Sequence, residues 1–331
     1  MTTLRYYIVD VFSSIAYKGN PLAVVDNKAD ALTKSQMQLI ARQFNLSETT
    51  FICAPTAPNA DLRLRSFLPN GEEVFGAGHN SLGAWWWAVH SGTREAPQNH
   101  TSRIYHQQLG EAVLPVEVSR SPKGDINISM RHGEPQFLNE HANKASLADS
   151  LGIEATDIGL QSPSGTTLFD EAQVVTTSPA RHLLVPLRNK EVLDRVTFAN
   201  KERIAEELVS TESHNSGVYV FTAVKSVNGT PRFEARFFSP GMGMEDPATG
   251  SAAGPLAAYV WKNARELVSA QDDEGLKDVG IEVVQGLKTG RECLMKVMIG
   301  RPGAVGSIEL SGTGVLVADG NIVVPLSDIV F

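Results

Sequence analysis

Residues 236–262 read RFFSPGMGMEDPATGSAAGPLAAYVWK. A β-rich run ends at Pro240, a glycine turn follows, and a segment of small and apolar residues begins near Gly250. A helix that is apolar on all sides is buried. This stretch therefore predicts a strand, a turn and a buried helix.

The first half of the chain contains a similar passage. Residues 65–89 read RSFLPNGEEVFGAGHNSLGAWWWAV, which includes three successive tryptophans. The two passages align with a single one-residue insertion. The aligned pairs are Arg65 with Arg236, Phe67 with Phe238, Pro69 with Pro240, and Gly78 with Gly250. We interpret the pair as an internal repeat, which predicts two similar halves.

The rest of the chain is rich in alternating, strand-like segments and poor in helical patterns. One helical pattern is capped by Thr33 and should stop near Asn45. The predicted fold class is α+β, with two pseudo-repeated domains, each a mixed β-sheet rolled around a central buried α-helix. The predicted domains are 1–133, completed by the carboxy-terminal segment 316–331, and 134–315.

Composition limits the classes of partner. The 331 residues include 29 Lys and Arg against 37 Asp and Glu, with no basic run, so nucleic acid is not an expected partner. No apolar run approaches the length needed to span a membrane, and the amino terminus enters a strand pattern without a leader. We therefore expect a cytoplasmic protein without a membrane partner.

The pattern also argues against metal and cofactor sites. Cys53 and Cys293, the two cysteines, lie in unlike contexts, and the eight histidines show no paired spacing. The glycine turn at Gly241 does not follow the dinucleotide pattern, and nothing resembles a phosphate loop. No metal and no cofactor are predicted.

The repeated glycine turns predict a site for a small anion. The first N–H groups of a helix lack intrahelical partners and carry partial positive charge. Two such helix starts facing a shared cleft would hold a carboxylate-bearing metabolite. Gly78, Asn80, Gly250 and Ser251 are the predicted ligands of its anionic groups.

Three ionisable residues, Glu48, His79 and Asp246, stand next to the predicted helix starts, and they indicate proton transfer. A carboxylate among apolar residues has its pKa raised toward neutrality, so it can take up and return a proton. Glu48 lies among Leu46 and Phe51 with no basic neighbour in sequence, and it is the predicted shuttle.

Each of these residues also has a purely structural interpretation. Asp246 followed by Pro247 is a common helix opening, with aspartate as the N-cap. His79 could be a helix-start residue bonded to the backbone, and a glutamate such as Glu48 at a strand edge is usually solvated. It is their convergence on the repeated turn that favours a catalytic site.

With these motifs, the sequence resembles the PhzF family of phenazine-biosynthesis-like isomerases. The match runs nearly from end to end. The motifs that carry it are Val9-Asp10-Val11-Phe12, Gly19-Asn20-Pro21-Leu22, Ser47-Glu48-Thr49-Thr50-Phe51, Gly78-His79, Gly217-Val218-Tyr219 and Glu245-Asp246-Pro247-Ala248-Thr249-Gly250-Ser251.

The resemblance implies a diaminopimelate epimerase-like fold, an active site between two domains, no cofactor, and a homodimer. In the best-understood member of the family, the glutamate that matches Glu48 moves a proton within trans-2,3-dihydro-3-hydroxyanthranilate. Residues matching Asp246 and His79 assist it, and those matching Gly78, Gly250 and Ser251 receive the substrate. Asn20, within a matched motif, is assigned to substrate binding with them.

Some positions depart from the family pattern. Asn80 and Ser81 follow His79 where proline and threonine are common, so the prediction is confined to isomerisation of a small carboxylate-bearing metabolite. One alternative is a non-enzymatic binding or regulatory protein of the same fold. The other is an amino-acid epimerase that uses carboxylates, because Cys53 and Cys293 lie outside the glycine motifs in which related epimerases place their two thiols.

Overall fold

The computed structural model describes residues 2–76, 78–162, 164–213, 216–241, 243–268, 279–300 and 308–331. The chain forms two compact units, the first being Met1–Met130 with Ser311–Phe331 and the second Arg131–Leu310. The sequence prediction places the domain boundaries after residues 133 and 315, and the structure divides the units after Met130 and Leu310. In both, the carboxy-terminal segment belongs to the first unit.

The elements from the amino terminus are β1 (Thr3–Val11), β2 (Asn20–Asn27), α1 (Lys34–Phe44), β3 (Thr49–Cys53), β4 (Leu62–Phe67), β5 (Glu73–Val74), α2 (His79–His90), β6 (Ser102–Leu109), β7 (Ala112–Arg120) and β8 (Ile126–Arg131). They are followed by β9 (Gln136–Glu140), α3 (Lys144–Leu151), β10 (Leu160–Gln161), β11 (Thr167–Phe169), β12 (Gln173–Thr176), β13 (His182–Pro186), α4 (Lys190–Arg195), α5 (Lys201–Ser210), β14 (Val218–Val227), β15 (Thr230–Ser239), β16 (Met244–Asp246), α6 (Gly250–Asn263), β17 (Val279–Gln285), β18 (Cys293–Ile299), β19 (Ile308–Gly312) and β20 (Gly314–Val323). Short 3₁₀ helices are Ala155–Asp157, Arg265–Leu267 and Leu287–Thr289.

The two units repeat one strand topology. In the first, β2 pairs in parallel with β3, β3 antiparallel with β4, β4 antiparallel with β5 and in parallel with β6, and β6 antiparallel with β7. The second unit repeats these pairings, with β13 to β18 in the places of β2 to β7 in order. The α+β fold with two pseudo-repeated halves is confirmed.

A duplicated ion pair fixes the strand-to-turn junction in each unit. Arg65 donates two hydrogen bonds to the carboxylate of Glu73, and Arg236 donates two to that of Glu245. The arginine and glutamate are 8 residues apart in the first unit and 9 in the second, which is where the one-residue insertion falls. A planar guanidinium that binds both carboxylate oxygens favours one mutual orientation, so each ion pair links the strand before the turn to the strand after it.

Each sheet surrounds one central helix. All residues of α2 from His79 to Val89 are buried, and the helix contacts β1, β2, β3, β4 and β20. Helix α6 is buried over most of its length and contacts β12, β13 and β18. Trp85, which is fully buried, donates its indole N–H to Gln107, so its polar atom is satisfied inside the core. The prediction of two buried helices is confirmed.

Helix α1 shows that local signals set the outer elements. Thr33 is its N-cap and forms a capping box with Gln36, and Asn45 ends the helix in the left-handed conformation. Both bounds agree with the sequence prediction. Among the helices that the structure describes, none is long and apolar enough to cross a membrane.

Candidate active site

Glu48 and His79 lie together in the first unit, at the start of α2. Oε2 of Glu48 is 3.3 Å from Nε2 of His79, and the two side chains are 20% and 7% exposed. The turn before β3 places the glutamate, and the first helical position of α2 places the histidine. The hydroxyl of the adjacent Ser47 bonds to Oδ1 of Asn20, which is fully buried in β2. The structure thus brings three predicted site residues, Glu48, His79 and Asn20, into one neighbourhood.

The environment of Glu48 perturbs its acidity. Burial raises the pKa of the Glu48 carboxyl from 4.5 to about 7, against a smaller lowering by the hydrogen bond with Ser47. Although a fifth of the side chain is exposed, its Oε2 atom is enclosed. A carboxyl that titrates near neutrality exists in both protonation states under ordinary conditions, as a group that shuttles a proton requires.

The raised pKa of Glu48 predicts a stability effect with a definite sign. The folded protein holds this proton more tightly than the unfolded chain, so the contribution of Glu48 to stability should fall as pH rises from 4.5 to about 7 and stay level above. A Glu48→Gln variant should therefore be more stable than wild type by up to about 3 kcal/mol at high pH, with little difference below pH 4.5. Urea unfolding across this range measures it. Glu111→Gln, which removes an exposed carboxylate, should show no such trend.

The side chain of Asn80 organises the turn that precedes α2. Its Oδ1 accepts the N–H of Gly78 at 3.0 Å, and its Nδ2 donates to the Ser66 hydroxyl and to the Gly76 carbonyl, both at 3.1 Å. Because both the oxygen and the nitrogen of the side-chain amide form these hydrogen bonds, the side chain stabilises the start of α2. Asn80 can therefore bind an anion only through its main-chain N–H.

In the second unit, Asp246 belongs to a buried polar network. Its Oδ2 accepts the hydroxyl of Thr249 at 2.6 Å. The side-chain amide of Gln285 donates to the main-chain oxygen of Asp246 and to the Thr249 hydroxyl, and its oxygen accepts the phenol of Tyr219. Burial, reinforced by the nearby Asp246 charge, raises the pKa of Tyr219, so the phenol remains a donor.

This network corrects one structural interpretation of the sequence. Asp246 is not the N-cap of α6, because it ends β16 and the helix begins at Gly250 with Thr249 as N-cap. The carboxylate instead binds the hydroxyl of that N-cap residue. Thr249, Gln285 and Tyr219 were absent from the predicted site. Thr249 and Tyr219 lie within motifs already noted in the sequence, and Thr249 is a favoured N-cap residue type, whereas Gln285 has no such signal.

The two central helices differ from the outer ones at their amino termini. Helices α1, α3, α4 and α5 are each capped by a side chain, from Thr33, Asn143, Asn189 and Asn200 respectively. No side chain caps α2 or α6, both of which lie within the described residues. Uncapped first-turn N–H groups need another acceptor, and an anionic ligand is one.

The second uncapped helix start contains a serine–histidine pair. Oγ of Ser251 is 2.9 Å from Nε2 of His182 in β13. Burial lowers the pKa of His182 to about 4, so the ring is neutral at pH 7. No sequence signal indicated His182, because the partners are 69 residues apart and the histidine lies within an apolar strand.

The second unit repeats the strands around Glu48 but has no glutamate at the equivalent position. Thr49 pairs with Phe67 and Val218 pairs with Phe238 in equivalent registers, so the counterpart of Glu48 in the second unit is Gly217. A Cβ atom at Gly217 would lie only 2.6 Å from the carbonyl oxygen of Phe238. No side chain fits there, and the carboxyl group is confined to one unit.

Comparison with known sequences identifies relatives along almost the whole chain. The family described as phenazine biosynthesis-like protein, PhzC-PhzF, matches residues 9–320. The trans-2,3-dihydro-3-hydroxyanthranilate isomerase of Pseudomonas fluorescens is 31% identical over 96% of this chain and 99% of its own length. An uncharacterized isomerase of Bacillus subtilis is 29% identical over 92% of this chain and 94% of its own.

Solved structures have the same fold. A Bacillus anthracis phenazine biosynthesis protein of the PhzF family matches with a TM-score of 0.81 at 25% identity, covering 98% of this chain and all of the other. A hydroxyproline epimerase from Agrobacterium vitis, with bound trans-4-hydroxy-L-proline, matches with a TM-score of 0.56 at 13% identity, covering 97% and 91%. The second likeness concerns the fold alone.

Proposed function

Because the chain belongs to the phenazine biosynthesis-like family and is an isomerase, we propose that it moves a proton by general acid–base catalysis on a small, unsaturated carboxylate. The observation that carries the proposal is the enclosed Glu48 carboxyl, whose pKa is raised to about 7 and which lies 3.3 Å from His79. The name of the Pseudomonas fluorescens relative supplies the first compound to try, trans-2,3-dihydro-3-hydroxyanthranilate.

In the proposed reaction Glu48 acts as both base and acid. Its ionised form breaks a C–H bond adjacent to an unsaturated system, and the electron pair moves into that system. The protonated carboxyl then delivers a proton to another carbon, so a double bond shifts and the molecular formula is unchanged. A group whose pKa is near the working pH performs both steps with comparable ease.

His79 and Asp246 have supporting roles in this proposal. The His79 ring contacts the Glu48 carboxyl and can orient it or donate to substrate. Asp246 orients substrate in a position fixed by its bond from Thr249. The uncapped N–H groups at the starts of α2 and α6 bind anionic groups, through Asn80, Gly250 and Ser251, whereas the Gly78 N–H is already bound by the Asn80 side chain.

The asymmetry of the two units favours isomerisation over racemisation. A racemase that repeated the same carboxyl base in both halves of the fold would need a counterpart of Glu48 in the second unit. The counterpart of Glu48 is Gly217, and its main chain excludes a side chain. The cysteines do not supply a second base, since both are buried and burial raises the pKa of Cys53 to about 11.

Turnover in deuterated water tests the function. The protein is incubated in D₂O with trans-2,3-dihydro-3-hydroxyanthranilate, and product formation and deuterium on carbon are followed by NMR and mass spectrometry. We expect conversion that depends on the protein, with deuterium at the carbon that receives the proton. Binding of the compound without conversion or exchange would contradict the proposed reaction on this substrate.

A further inference from the structure

The second unit contains a buried imidazole that the proposed chemistry does not use. His182 is 5% exposed, and its Nε2 lies 2.9 Å from Oγ of Ser251, at the second position of α6. Its ring packs edge-on against Phe237, with centroids 4.9 Å apart. These two contacts fix the orientation of the His182 ring. Ser251 itself is partly exposed.

The surroundings of the second ring nitrogen select a tautomer. Nδ1 of His182 is enclosed, and no hydrogen-bond partner for it occurs among the described residues. A neutral imidazole carries its proton on one nitrogen only. Because a buried N–H without an acceptor is rarer than an unfilled acceptor, the proton belongs on Nε2, where the Ser251 oxygen accepts it.

The direction of this hydrogen bond determines what Ser251 offers to a ligand. If Ser251 donated to the imidazole, its oxygen would present only lone pairs toward an anion at the helix start. When Nε2–H donates to Oγ, the serine proton is free to point away from the ring. The Ser251 hydroxyl can donate to an anion at the helix start only in the second arrangement.

We propose that His182 is a positioning residue, which donates from Nε2 to Ser251 and so keeps the Ser251 hydroxyl as a donor to the anionic group of the substrate. The inference deepens the proposed function and rests on it for the nature of the ligand. It assigns a role to a residue that lies outside the glycine motif and makes no substrate contact of its own.

The same pair is unsuited to nucleophilic catalysis. An imidazole that activates a serine must accept the serine proton, and its acceptor nitrogen must therefore be Nε2. Burial lowers the pKa of His182 to about 4, which makes the ring a weak base. The arrangement serves hydrogen-bond direction rather than proton removal.

NMR of the unliganded protein tests the tautomer directly. In protein labelled with ¹⁵N-histidine, long-range ¹H–¹⁵N correlations distinguish the two tautomers, and His182→Gln assigns the signal among the eight histidines. We expect the Nε2–H tautomer, with no titration between about pH 5 and 8. An Nδ1–H tautomer, or titration near neutrality, would overturn the proposal.

A double-mutant cycle tests the route of the effect. The probe is 3-hydroxyanthranilate, the aromatic relative of the proposed substrate, and its Kd is measured by calorimetry. His182→Leu should weaken binding by about tenfold, whereas His182→Gln, which keeps an N–H donor, should change it by less than about threefold. In a Ser251→Ala background, His182→Leu should have no further effect. Equal losses with and without the serine would contradict the proposal.

The two experiments separate this inference from the proposed function. If wild type neither binds 3-hydroxyanthranilate nor converts the dihydro compound, the proposed substrate is wrong, and the tautomer of His182 still decides the hydrogen-bond direction. If wild type converts the dihydro compound but His182→Leu and His182→Gln weaken binding equally, the function stands and the positioning role fails.

Discussion

Replacing Glu48 with glutamine is expected to lower kcat for the proposed isomerisation by about a thousandfold or more. Glutamine has nearly the same shape but can neither take up nor return a proton. Glu48→Asp keeps the carboxyl but withdraws it by one methylene, so it should retain part of the activity. The measurement is steady-state conversion with saturating substrate, together with deuterium exchange in D₂O.

The pH dependence of the wild type gives an independent check on Glu48. Only the ionised carboxylate accepts a proton, so kcat/KM should rise with pH and level off above about 7. Glu111→Gln, at an exposed site, is the matched control and should leave this profile unchanged. A Glu48→Gln variant that exchanges deuterium as fast as wild type would show that another residue carries the proton.

Replacing Arg236 with methionine is expected to destabilise the second unit by about 3–5 kcal/mol. The Arg236 side chain is 11% exposed, and besides Glu245 it binds the carbonyl oxygens of Leu193 and Val196 at the end of α4. Its removal leaves a carboxylate and two carbonyl groups without their partner in the interior. Urea unfolding, followed for each transition separately, measures the effect.

The internal repeat supplies a matched control for Arg236. Arg65→Met removes the equivalent guanidinium, but that side chain is 22% exposed, and Glu73 keeps Lys34 at 3.4 Å. The cost should be smaller, about 1–2 kcal/mol. Adding Glu245→Met to Arg236→Met should recover part of the lost stability, because no charge is then left buried alone. Equal costs at the two arginines would contradict this account.

The sequence predicted the central framework because its signals are strong and occur twice. The strand, glycine turn and apolar helix recur in residues 65–89 and 236–262, and all-round apolarity at α2 and α6 required burial. It did not predict β12 or α4. These elements have 4 and 6 residues, too few to display a period, and β12 lies in a stretch whose average composition is polar.

Prediction of the site was limited by residues that are distant in sequence. Glu48 and His79 stand beside recognisable motifs, and the structure places them 3.3 Å apart. His182 and Gln285 reach the start of α6 from separate strands, and their neighbours in sequence do not indicate it. The burial that shifts the pKa of Glu48 is likewise a property of the folded chain, although apolar neighbours hinted at it.

Gly217 limits how closely the second unit could be engineered to resemble the first at the position of Glu48. A side chain there would collide with the carbonyl oxygen of Phe238. This is a main-chain atom, so no substitution can remove it. Placing an acidic residue at position 217, the counterpart of Glu48, would thus require a different backbone path for β15 and could not be achieved by a single substitution. Laboratory evolution toward inversion of a stereocentre would have to begin elsewhere in the second unit.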